Sequence, residues 1–350
     1  MTATLAAGQS EGDRRARGAR ATWALLVLLG FAALAALGSG ASGVSLGAVL
    51  RGIWSGEGLD ARTQLVLFEI RLPRLAVGMM VGAALAVSGA LMQGLFRNPL
   101  ADPGLVGVGA GSGLGAVVAI VLGGLLPFQT PWLVPVAAFA GGWCATLILY
   151  RVATRQGRTS VAMLLLAGIA LAALAGAITG ILIYLADDNE LRDLTFWSMG
   201  SLAGSNWDKA VLGLPFILPV LLFAPLLGGG LNALSLGEAA ARHIGHPVER
   251  IKLLSVLGVA AAVGAATAIA GGIGFVGIVV PHLLRLATGP DHTRLLPNAA
   301  ILGAALLVGA DTLARLAVAP AELPIGIITA ILGAPVFLWI LLRQAQLAEA

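Results

Sequence analysis

Residues 161–185 read VAMLLLAGIALAALAGAITGILIYL, without one charged side chain. A bilayer core takes roughly 20 apolar residues as a helix. Inside lipid every backbone N–H and C=O must be satisfied by the chain itself, which leaves helices or closed barrels. Comparable apolar stretches recur at about 22–40, 71–92, 104–124, 131–152, 208–228, 250–270, 294–317 and 324–343. A weaker tenth, GIGFVGIVVPHLLRLAT over 272–288, is glycine-rich and interrupted by Pro281. The expected fold is therefore all-α and polytopic, with ten transmembrane helices. A cytoplasmic tail covers 1–21, the transmembrane domain 22–343 and a C-terminal tail 344–350.

Composition agrees. The chain is 58% hydrophobic and 11% charged, against about 25% charged for a soluble domain. The formal charge of +4 does not indicate nucleic acid, because Lys209 and Lys252 are the only lysines and the arginines form no continuous stripe. Cys144 is the single cysteine, which excludes a disulfide framework. The first span follows Arg14, Arg15, Arg17 and Arg20 and ends in small residues like a signal peptide. With nine spans downstream it is read as an uncleaved helix.

Basic residues set the orientation. With ten spans and both termini inside, Arg97, Arg151, Arg155, Arg158, Arg242, Arg250, Lys252, Arg285 and Arg294 join the N-terminal arginines and Arg343 on the cytoplasmic side. Gly107, Gly111 and Gly115 recur every four residues, as do Gly109 and Gly113, a spacing that lets helices approach closely in lipid. VGAALAVSG (81–89) and VGAATAIAG (263–271) echo each other in opposite expected directions, as an inverted repeat would.

Several chemistries are missing. There is no G-x-x-x-x-G-K-[ST] loop and hence no P-loop nucleotide site, and no H-E-x-x-H zinc motif. His243 and His246 lack acidic or thiol company and read as surface histidines. Carriers driven by protons or sodium place ionisable groups deep in the bilayer, whereas here Asp311 is the main mid-span charge. Arg315, four residues on, faces it as a local ion pair. Walls as plain as 161–185 suit a bulky, partly apolar solute, and the work of transport must then come from a separate ATPase. The competing reading is an ion-coupled secondary carrier using Asp311.

Two regions are suited to partners. The stretch 229–250, GGLNALSLGEAAARHIGHPVER, is too polar to span, and it pairs Glu238 with Arg242 before Gly245 and Pro247. Arg71, Arg74 and Arg315 fall outside, against the positive-inside trend, at the mouths of spans two and nine. There they either anchor the spans or receive acidic groups of an extracytoplasmic protein, since the planar arginine fork pairs bidentately with carboxylates.

RLPRL (71–75), GAALAVSGALMQGLFRNPLADPGLVGV (82–108), LSLGEAAARHIG (234–245), GFVGIVVPHLLRL (274–286) and AELPIGIITAILGAPVFLWILL (321–342) together resemble the permease family of type II ABC importers, which handles cobalamin, iron-siderophores and haem. The resemblance covers about residues 20 to 345, with the motifs in order. It implies a homodimer in the bacterial inner membrane, two cytoplasmic P-loop ATPase subunits that bind ATP and magnesium, and a periplasmic binding protein. The chain itself would hold no cofactor or metal and would not be an enzyme. The resemblance further implies coupling to the ATPase through 231–247, with Glu238, Arg242 and Gly245. Arg71, Arg74 and Arg315 would dock the binding protein. Asn98, Thr159 and Ser160 would form a cytoplasmic gate, and spans five and ten with 190–203 would line or cap the pathway. YLADDNELRDLTFWSMGSLAG (184–204) looks most like the haem permeases, ahead of siderophore and then cobalamin permeases. His282 is read as structural rather than as an iron ligand.

Overall fold

The computed structural model describes residues 11–40, 43–45, 47, 59–127 and 130–349. Among them, nine helical stretches are long and apolar enough to cross a bilayer. They are α1 (Glu11–Gly38), α2 (Ala61–Phe96), α3 (Val108–Leu122), α4 (Leu133–Ala153), α5 (Val161–Leu185), α7 (Trp207–Phe223) running on through a 3₁₀ turn into α8 (Gly228–Ser235), α10 (Val248–Ala270), α12 (His292–Ala317) and α13 (Ile325–Glu349). Two short helices, α6 (Asp188–Ser198) and α9 (Glu238–His243), lie between crossings. α11 (Val276–Thr288) is the tenth crossing element.

α11 is shorter than its sequence reading. The expected span began at 272, but Gly271–Gly274 is non-helical and Phe275 is left-handed at φ 68°. Thirteen residues rise only about 20 Å, short of the roughly 30 Å of a bilayer core. Span two is longer than expected at its other end. Its helix begins at Ala61, with a π-helical turn over Val66–Arg71 directly before Pro73. Proline lacks an N–H and its ring crowds the preceding turn, and a widened turn is one way a helix absorbs that. The N-terminal stretch expected as a tail is helical from Glu11. Residues 1–10 and Ala350, the ends of both expected tails, lie outside the described residues.

α2 is the central post, packed on α12, α10 and α11. The contacts are made by backbone. A β-carbon placed on Gly82 would lie 2.2 Å from the Gly303 carbonyl oxygen, and one on Gly303 would lie 2.3 Å from that of Gly82. At Gly89 it would lie 1.9 Å from the carbonyl oxygen of Gly277. α3 and α4 pair the same way through Gly111, Gly115 and Gly141. Of the two glycine registers on α3, only the one containing Gly111 and Gly115 is used for packing; Gly109 and Gly113 face open space. The echoing segments 81–89 and 263–271 fall on α2 and α10, which pack against each other.

Because side-chain hydrophobicity gives helices no reason to associate within lipid, these close approaches carry the packing. Gly82→Val is expected to lower the thermal midpoint of the detergent-purified protein, at about 3 kcal/mol, the upper range for overpacking. Gly109→Ala, made in open space, should leave it unchanged. Equal midpoints for the two variants would show that the α2–α12 contact is not a limiting one.

Candidate functional site

A cavity of about 460 Å³ opens between α3, α5 and α6. Its wall is small and apolar, with Ala110, Gly113 and Val117 from α3, Ala172, Ala175 and Gly176 from α5, and Leu191, Leu194 and Trp197 from α6. Thr179, Thr195 and Ser198 supply its hydroxyls, and no charged, histidine or tyrosine side chain lines it. Span five and 190–203, expected along the pathway, both contribute to this wall. Span ten contributes nothing to it, and α3 does, a role the glycine pattern of α3 did not announce. α6 is started by a capping box, with Asp187 accepting from the Glu190 N–H at 2.8 Å and Glu190 accepting from the Asp187 N–H at 2.9 Å. Its C-terminal end is stitched down by backbone bonds from Ser201 to Ala270, Ile325 to Gly200 and Gly326 to Met199.

At the end of the bundle where α2 begins, three arginines and two acids meet. Arg74 binds Asp311 (Nη2–Oδ1 2.8 Å) and Glu322 (Nη1–Oε1 2.9 Å), while Arg315 reaches Asp311 at 3.3 Å. Arg71 and Arg74 are 5% and 8% exposed, so neither lies open at the mouth of a span as expected: the helix extends ten residues beyond Arg71 to Ala61. The excess positive charge is answered by carbonyls at the C-terminal end of α1. Arg71 donates to Leu37, and Arg315 donates to Ser39 (3.0 Å) and Ala36 (3.2 Å). A helix C-terminus carries partial negative charge, so α1 is pinned to α12 electrostatically here. Thr22 pins it at the far end, through Asn298 at 2.8 Å. Asp311 is thus bound to two guanidiniums and lines no part of the cavity.

At the opposite end stands the stretch 231–247. Gly237 (φ 104°) and Gly245 (φ 90°) bracket α9, conformations that an L side chain rarely adopts. Glu238 and Arg242 pair at 3.1 Å as their spacing predicts, and Arg242 also holds Glu249 at 2.9 Å. His243 is exposed. α8 is tied to α12 by Asn232, whose amide donates to Asp291 at 2.6 Å. Burial alone would raise the Asp291 carboxyl, but donors from Asn232 and Thr293 hold it below the usual range.

The residues expected at a gate stand on different elements. Asn98 sits on the turn after α2, its Oδ1 accepting from the Leu100 N–H at 2.9 Å. Ser160 is the N-cap of α5, accepting from the Met163 N–H at 3.3 Å. Thr159 is buried on a two-stranded hairpin, β1 (Thr154–Arg155) and β2 (Arg158–Thr159), turned by Gln156 (φ 51°) and Gly157 (φ 73°). Two positive-φ residues make the turn whose twist matches a hairpin. The Thr159 backbone N–H donates to Glu249 at 2.9 Å, and its carbonyl accepts from Lys252 Nζ at 2.7 Å. Lys252 also binds Glu238 at 2.8 Å. Glu238, Arg242 and Thr159 thus converge on Glu249 and Lys252, two residues outside the sequence-predicted sites. Among the described residues no cluster of ligands suited to a metal ion is present.

The arginine cluster makes a stability prediction. Removing one partner of a buried pair strands the other, at about 3 kcal/mol or more. Arg74→Met is expected to destabilise by that order in thermal unfolding, and Arg74→Lys, which keeps a charge for Asp311, to lose clearly less. A lysine variant no more stable than the methionine one would refute the pairing.

The FecCD transport family model matches residues 25–343. The hemin transport system permease protein of Yersinia pestis is 46% identical over 327 residues, which is 92% of this chain and 95% of that protein. The vitamin B12 import system permease protein of Salmonella typhi is 47% identical over 292 residues, 83% of this chain and 88% of that protein. A solved structure described as an inward-facing conformation of a putative metal-chelate type ABC transporter superposes with a TM-score of 0.82 at 32% identity, covering 93% of this chain and 99% of that one. With a polytopic bundle, a charge-free cavity and a match running through nearly all of the spans, this chain belongs to the FecCD transport family of membrane permeases.

Proposed function

We propose that this permease carries haem inward across a bacterial inner membrane as the spanning subunit of an ATP-driven importer. The observation that carries haem over its alternatives is the extent of likeness to the hemin permease, 92% of this chain at 46% identity against 83% at 47% for the vitamin B12 permease. The cavity wall is in keeping with it: a flat, largely apolar macrocycle needs shape and dispersion rather than charge. A wall without iron ligands would let such a solute pass without holding it.

In this reading both termini and the α9 end face the cytoplasm, where two ATPase subunits that bind ATP and magnesium meet 231–247 through Glu238, Arg242 and Gly245. A second copy of the chain completes the pathway. Leu166, Ile169 and Ile181 on α5 are exposed in the single chain and would face that copy or lipid. A periplasmic binding protein would dock over Arg71, Arg74 and Arg315. Because these are already engaged internally, the arriving acids would add to or exchange with Glu322, whose side chain is 36% exposed. Asn98, Thr159 and Ser160 would close the cytoplasmic side. The chain itself performs no catalysis.

Reconstitution tests the reading. The assembled complex in proteoliposomes should take up haem only with ATP and with haem-loaded binding protein, and the chain alone should neither hydrolyse ATP nor concentrate haem. Uptake by the chain alone under a pH gradient would establish the ion-coupled carrier instead. Stronger stimulation of ATPase by cobalamin-loaded or siderophore-loaded binding protein would reassign the solute.

For docking, Arg71→Glu, Arg74→Glu and Arg315→Glu should each weaken capture of the binding protein. The loss should be larger at low ionic strength, where screening is weakest. Capture unchanged at low salt would confine the three arginines to their internal role.

A further inference from the structure

We infer that Glu249 and Lys252, on the first two turns of α10, form a rigid tie that makes the β1–β2 hairpin and α5 move with α9. The inference rests on the reading of 231–247 as the surface that meets an ATPase, and adds to it the connection from that surface to the cavity wall.

The tie is built from three elements. Lys252 Nζ contacts Glu238 on α9 (2.8 Å), the Thr159 carbonyl on β2 (2.7 Å) and Glu249 on its own helix (3.4 Å). Glu249 in turn accepts from the Thr159 N–H with one oxygen (2.9 Å) and from Arg242 on α9 with the other (2.9 Å). In an antiparallel pair, alternate residues point their N–H and C=O away from the partner strand. Thr159, opposite Thr154, is such a residue, and both of its outward backbone groups are taken by Glu249 and Lys252. The grip is on backbone at two points, so it fixes both the position and the tilt of the strand. Only Ser160 separates Thr159 from α5, and α5 carries Ala172, Ala175, Gly176 and Thr179 on the cavity wall.

Burial makes this tie stiffer than the other ion pairs at the same end. Lys252 is 1% exposed. Pulling the hairpin from α10 would take the Thr159 carbonyl from a buried ammonium and leave it Glu238 and Glu249 alone, at the cost of unmaking a buried charge-assisted hydrogen bond. The Arg242–Glu249 pair that also joins α9 to α10, with side chains 42% and 30% exposed, is water-screened and can open at little cost. When α9 is displaced, the screened pair yields and the buried one does not. The displacement passes to Thr159 and then to the N-terminus of α5.

The test uses the full complex with its ATPase subunits in nanodiscs and proteoliposomes. The sole cysteine, Cys144, is replaced by serine, and Arg155→Cys on the hairpin carries an environment-sensitive fluorophore. ATP should shift the fluorophore signal in this parent. In Lys252→Met and Glu249→Gln complexes, ATP hydrolysis should persist. The signal change and the haem transported per ATP should both fall about tenfold, within the usual span of coupling between sites. Glu249→Gln keeps the shape and one acceptor, so it decides the matter if Lys252→Met does not assemble.

Signal and transport per ATP equal to the parent would overturn the inference. So would a proportionate loss of hydrolysis and transport, which would make the cluster an ATPase-docking feature only. A parent whose fluorophore ignores ATP would instead sink the underlying assignment of 231–247, and this inference with it.

Discussion

The structure depends on the approach of α2 to α12 and α11 at distances that admit no side chain. In water such a contact would be one among many, because burial of apolar surface drives helices together. In a bilayer the lipid chains compete on equal terms, and association rests on dispersion between closely fitted surfaces. The reciprocal seats of Gly82 and Gly303, and of Gly111 and Gly141, are where this bundle obtains that fit. They knit α2, α11 and α12 into one block and α3 with α4 into another, and leave the cavity on the other side of α3, between it and α5 and α6. Loose packing on that side follows from small residues that face space instead of a partner, as at Gly113.

Charge is distributed by the same logic. The described ion pairs sit in two clusters at the two ends of the bundle and none crosses the cavity. The arginine cluster holds one more positive than negative side chain, and the α1 carbonyls answer the surplus. The lysine cluster is satisfied by two glutamates and a backbone carbonyl. Each joins elements distant in sequence: α1, α2, α12 and the turn before α13 in one, and the hairpin, α9 and α10 in the other.

Hydropathy made nine of the crossings legible, because a run such as 161–185 has no other stable home. α11 was half legible: Pro281 and its neighbouring glycines marked it as weak, but the left-handed Phe275 that starts the helix carries no sequence signal, since bulky residues seldom take that conformation. The hairpin before α5 went unread because Gln-Gly is a poor version of the Asn-Gly signal, and arginines on both strands looked like an ordinary cytoplasmic loop. The spacing of Glu238 and Arg242 correctly gave their pair, a local event on one helix turn. Arg74 reads as a helix-mouth residue because its partners, Asp311 and Glu322, are more than two hundred residues away, and Arg71 with it because the ten residues before it are too mixed to read as helix. Lys252 was visible as one of two lysines at the start of an apolar span. Its three acceptors lie on three elements, and only the fold brings them together.

A solute can shift the balance between two conformations only by binding one better than the other. The cavity offers it three hydroxyls and otherwise aliphatic or aromatic surface, so the difference it can exert is small in either direction. The energy that distinguishes an open from a closed state must therefore reside at the charged ends, where separating one buried pair outweighs many methyl contacts. In the proposed importer, a wall indifferent to its cargo and ends that answer to macromolecular partners would be two consequences of one arrangement. The cavity would set which solutes fit, and the clusters at either end would decide when it is exposed, and to which side.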